Sequence, residues 1–126
     1  MPHTVTYNSD THTVETIVEG DVTLSILREI FNDQARMTRL HSCSKMLNDY
    51  RAATLRLSTM DIYDLPQIIA DTAAAHGSDA RLMQRALVIT RDAEDYYFYE
   101  TVVDNRSQTE KVFFDMDQAK EWLANS

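Results

Sequence analysis

Glycine and proline each occur only twice in the 126 residues, at Gly20, Gly77, Pro2 and Pro66. That scarcity leaves no stretch for a flexible linker and no glycine-rich loop to cradle a phosphate. Cysteine occurs once, at Cys43, so no internal disulfide can form. No apolar run approaches the roughly 20 residues that a membrane-spanning helix needs. The opening residues, Met1 to Tyr7, hold neither the charged nor the apolar region of a secretory signal. These absences predict a cytoplasmic protein with no membrane span. Basic residues are also in the minority, 12 against 20 acids, for a net charge of -8. A nucleic-acid partner is not expected, since phosphate binding needs clustered lysine and arginine.

What is present suits one folded domain over residues 1–126. The length is typical of a single domain, and a 44% hydrophobic fraction can fill its core. The charge is unevenly spread. Arg36, Arg39, Lys45, Arg51 and Arg56 face only Asp49 within residues 36–56. Such a stretch serves either as solvated charge near a helix C-terminus or as a patch for an anion or a partner.

Patterning predicts the order ββαβαβαβα. Thr4–Tyr7 and Thr13–Glu19 are rich in β-branched residues and flank a turn at Asn8-Ser9-Asp10, which reads as a hairpin. Gly20-Asp21 ends the second strand. A helix then begins near Asp21 or Thr23, with Leu24, Leu27, Ile30 and Phe31 on one face. Lys45–Tyr50 reads as a short buried strand, which Tyr50–Leu57 either extends or follows as a loop. Ser58-Thr59-Met60-Asp61 has the spacing of a capping box, and Asp64-Leu65-Pro66 offers a second helix start. Gly77 fits the end of that helix. Arg85–Thr90 has a near-continuous apolar core, as a strand buried on both faces would have. Asp92–Asp104 reads as a helix. Lys111–Phe114 reads as the last strand, before a helix capped by Asp115 with Ala119, Trp122 and Leu123 on its inner face. The alternation predicts an α/β domain: about five strands, mostly parallel, packed with four helices. Leu87 and Phe113 are expected on adjacent central strands.

Four pieces together resemble STAS domains, the module shared by sulfate transporters and anti-sigma factor antagonists, and more closely their small stand-alone bacterial members. They are Gly20-Asp21-Val22-Thr23; Asp49-Tyr50-Arg51-Ala52-Ala53 with Leu57 to Tyr63; Arg85-Ala86-Leu87-Val88; and Val112-Phe113-Phe114-Asp115 with Ala119 to Leu123. The resemblance implies a STAS-like fold and a regulatory, protein-binding role in signalling. Antagonists of that family carry a phosphoacceptor serine in an Asp-Ser-Ser-Gly loop before the second helix. The corresponding stretch here, Leu57 to Asp61, has no glycine, and Ser58 or Thr59 would take the acceptor's place.

The residues themselves suggest no catalytic set. Ser58 lacks the surroundings of a nucleophile elbow. His3, His12, His41, His76 and Cys43 lack the spacing of a metal site, and no cofactor is expected. Asp49, Arg51, Arg91 and Asp92 are expected near the C-terminal strand ends, where α/β sheets collect ligands. Tyr96, Tyr97, Phe98 and Tyr99 cannot all face inward on one helix, so Tyr97 or Phe98 is a candidate contact for a protein partner or a weak homodimer. The function expected is a non-enzymatic regulatory or interaction module. The alternatives are a carrier or sensor for a small anionic or apolar ligand or lipid, held between helices and sheet, and a small enzyme using Asp49 and Arg91.

Overall fold

Alternating β-branched residues make the first two strands an antiparallel hairpin. The computed structural model describes residues 3–90 and 109–125. Strand β1 is His3–Asn8 and β2 is Thr13–Val22, paired from His3 opposite Val18 to Asn8 opposite Thr13. Helix α1 (Leu24–Leu40) starts at Thr23, whose side chain accepts from the Ile26 N–H. Strand β3 (Lys45–Leu55), helix α2 (Thr59–Ala75), a 3-10 turn (Ala80–Leu82), strand β4 (Gln84–Val88), strand β5 (Thr109–Phe113) and helix α3 (Met116–Ala124) complete the described elements. The sheet order is β1-β2-β3-β4-β5, with every pair after the hairpin parallel.

This is an α/β fold with a five-stranded mixed sheet. Three α-helices fall among the described residues. The further helix expected over Asp92–Asp104 lies outside them. Helices α1 and α2 cover one face, where Val18, Val22, Leu27, Ile30, Tyr50, Ile62, Leu65, Ile69 and Leu87 form the main core. Helix α3 covers the other, over Leu47, Ala86, Val88 and Phe113. Covering both faces explains the apolar run of β4: Leu87 points to one layer, and Ala86 and Val88 to the other.

Several sequence expectations need correction. Gly20 does not end β2. It sits inside the strand with φ +76, a conformation that costs glycine little, and pairing continues to Val22. Strand β3 runs on to Leu55 rather than stopping at Tyr50. Pro66 starts no second helix. It lies buried within α2, where it cannot donate a helix hydrogen bond. Leu87 and Phe113 do occupy adjacent strands, but β5 is the outermost described strand rather than a central one. Phe113 is buried there because α3 covers it, with the Trp122 ring centroid 5.7 Å away.

A β-bulge gives β3 its length. Ile17 pairs with Asp49, but Glu19 pairs with Ala52, so β3 carries one extra residue. Side chains alternate along a strand, so the extra residue changes which positions face inward. Asn48 and Tyr50 face α1 and α2 before the bulge, and Ala53 and Leu55 pack into the same core after it.

Candidate functional site

Asp49 and Arg51 sit at this bulge and belong to it. Asp49 Oδ1 accepts from the Arg51 backbone N–H at 3.1 Å and from Arg51 Nε at 2.9 Å, and Oδ2 accepts from Nη2 at 2.8 Å. The bidentate pair fastens the extra residue in place. The structure thus brings Asp49 and Arg51 together, but against each other. Asp49 lies mid-strand rather than at the strand end where a ligand would collect. Arg91 and Asp92, expected beside them, lie outside the described residues, as do Tyr97 and Phe98.

The pair makes stability depend on pH. Hydrogen bonds from Arg51 hold the Asp49 carboxyl below the usual carboxylate range, against the opposing effect of burial. Its folded pKa is below its unfolded one, so the contribution is present above about pH 4 and is lost as pH falls through the folded value. Asp49→Asn is expected to flatten the acid limb of a stability profile, checked by urea unfolding at a series of pH values. An unchanged acid limb would contradict this assignment.

The remaining bases of the cationic stretch form no shared patch. Arg36 pairs with Asp33 at 2.6 Å and Arg56 with Asp21 at 3.3 Å, and Lys45 Nζ donates to the Leu123 carbonyl at 2.7 Å. The Arg39 guanidinium lies beside Gly77. The histidines are also engaged. His3 bonds Asp33, His12 bonds Tyr7, and His76 bonds Asn32, while His41 stacks on Tyr7 and the buried Cys43 thiol donates to the His12 carbonyl.

Ser58 and Thr59 stand at the start of α2, both exposed. Ser58 is the N-cap of a complete capping box. Its hydroxyl oxygen accepts from the Asp61 N–H at 3.1 Å, and the Asp61 carboxylate accepts from the Ser58 N–H at 3.1 Å. The sequence prescribes this, because serine and aspartate three apart satisfy two helix N–H groups that would otherwise lack partners. Ser58→Ala is expected to cost about 0.5–2 kcal/mol in thermal or urea unfolding. A loss too small to measure would show that the cap contributes nothing.

Beside this cap, Met60 is 66% exposed and Tyr63 46% exposed. Three residues apart, they share one side of the first helical turns. The charge-based reading of the sequence missed this apolar contribution. Its signal was Met60 at a position outside the inward stripe of Ile62, Leu65, Ile69 and Ala73.

Sequence reasoning also missed a row of buried polar groups beneath α1 and α2. Gln34 Nε2 donates to Thr16 Oγ1 at 3.0 Å and to Asn48 Oδ1 at 2.9 Å. Arg85 and Glu110, neighbours in the β4–β5 register, form an ion pair at 3.6 Å with side chains only 3% and 5% exposed. Gln34, Asn48, Arg85 and Glu110 border a cavity of about 30 Å³ between α1, α2 and the sheet, also walled by Leu27, Phe31, Ile62 and Leu65. That is space for one or two waters.

The structure is similar to that of an anti-sigma factor antagonist from Mycobacterium paratuberculosis, with a TM-score of 0.59 over 96% of this chain and 93% of that one. The fold is STAS-like. The two sequences are 13% identical, so the likeness is one of architecture. No family model matches the sequence, and no curated protein does.

Proposed function

We propose that this chain is a non-enzymatic regulatory module that binds a protein partner at the N-terminal end of α2, with Ser58 as the residue whose modification controls binding. The observation that carries the reading is the meeting, in a STAS-like fold, of an exposed cap hydroxyl with exposed Met60 and Tyr63. Apolar side chains of this size rimmed by polar groups mark protein contacts. Phosphate on Ser58 would add about two negative charges beside the Asp61 carboxylate. A partner that buries Met60 and Tyr63 would have to desolvate that charge. The carrier reading has less support on the α1/α2 face, because the cavity there holds one or two waters where a drug-sized ligand needs roughly 300 Å³ or more.

A photo-crosslinking residue at position 60, with one at exposed Asp71 as control, tests the location. The expected result is a defined protein crosslinked from position 60, absent from position 71, and reduced by Ser58→Asp. Equal labelling from both positions would overturn the reading.

A further inference from the structure

Strand β1 ends the sheet, and among the described residues its outer edge meets no other strand. An open edge presents unpaired backbone N–H and C=O groups, and proteins usually blunt it with charges, proline, a bulge or a cover. Among the described residues, strand β1 has none of these. Its six residues are His-Thr-Val-Thr-Tyr-Asn, and its register with β2 runs without a shift. Its one histidine, His3, is buried against Asp33 of α1 at 2.8 Å. The strand at the other end, β5, carries Glu110 and Lys111.

A second observation falls on the same side. Asp33, Arg36 and Leu40 follow one another along a stripe of α1 at three- and four-residue spacing. Asp33 touches β1, so the stripe runs along the β1 side of the helix. At its end, next to the His41 ring stacked on Tyr7, Leu40 is 70% exposed. Among the described residues, this apolar side chain is left largely uncovered.

We infer that a second copy of this chain pairs across β1, antiparallel and two-fold symmetric, joining the two sheets into one. The occupant follows from self-complementarity. Antiparallel pairing about Val5 puts Val5 opposite Val5, Thr4 of one copy opposite Thr6 of the other, and His3 opposite Tyr7. Directly opposite residues share a face. His3, Val5 and Tyr7 therefore stay on the helix side, and the threonines meet as favourable cross-strand pairs on the open side. No like charges meet along the strand. The two α1 helices come alongside each other on one face, where each Leu40 finds cover. Such an interface is isologous, the commonest kind in homo-oligomers. One strand pair and one helix flank give a small interface, so the dimer is weak and concentration-dependent.

Sedimentation velocity of the full chain over a concentration series tests this, with Thr4→Lys/Thr6→Lys as the variant. Both threonines are exposed, so the lysines should leave the monomer folded, which circular dichroism and the melting temperature verify. The wild type is expected to dimerise, and the variant to associate at least about tenfold more weakly. In the wild type, amide exchange within β1 should also slow as concentration rises. A wild type still monomeric at about 1 mM overturns the proposal. So does a dimer that the lysines leave intact, or one that only Phe98→Ser dissolves, which would place the contact elsewhere on the chain.

Discussion

Replacing Glu110 by leucine is expected to destabilise the protein by about 3–5 kcal/mol. The carboxylate and the Arg85 guanidinium are both buried between the helices and the sheet. Removing one charge leaves the other desolvated without its carboxylate, a larger loss than the pair itself is worth. The double substitution Arg85→Met/Glu110→Leu should cost less than Glu110→Leu alone, because it removes the charge left behind. Urea unfolding of the single and double variants measures both. A Glu110→Leu cost under about 1 kcal/mol would mean that the pair is hydrated rather than sealed in the core.

Truncating Leu87 to alanine should cost about 2–5 kcal/mol. Leu87 is 3% exposed and lies in the main core with Leu27, Ile30, Tyr50, Ile62 and Ile69. The loss combines the transfer energy of the missing carbons with a cavity that strands and helices cannot close. Leu82→Ala supplies the control, since Leu82 is 73% exposed in the 3-10 turn. Its expected effect is within about 0.5 kcal/mol. Similar losses at both positions would contradict the placement of β4 between β3 and β5 beneath the main core.

The parts of this fold that are legible in the sequence are those set by near neighbours. The caps at Thr23, Ser58 and Asp115 are read from one polar side chain and the helix start that follows it. The hairpin shows in the threonines and valines of β1 and β2, and the burial of β4 on both faces in its unbroken apolar run. The bulge in β3 is harder to see. Its extra residue shifts the alternation, so Arg51 to Leu55 fits neither a simple strand nor a loop. Asp49 then looks like a strand-end ligand when it is the bulge's fastener. Gln34, Asn48, Arg85 and Glu110 escape for a different reason. A polar residue that is buried with a partner and one that faces water look alike in a hydrophobic pattern, and the partners come from distant strands. The candidate site was half legible: Ser58 stood out, while Met60 and Tyr63 gain meaning only once the inward face of α2 is known.

The most direct test of the regulatory reading is the affinity of the partner captured at position 60 for three forms of the chain, measured by titration calorimetry. Ser58→Ala keeps the surface neutral and should bind within a few-fold of the wild type, whereas Ser58→Asp should bind at least about tenfold more weakly. Equal affinities for all three would contradict control through Ser58.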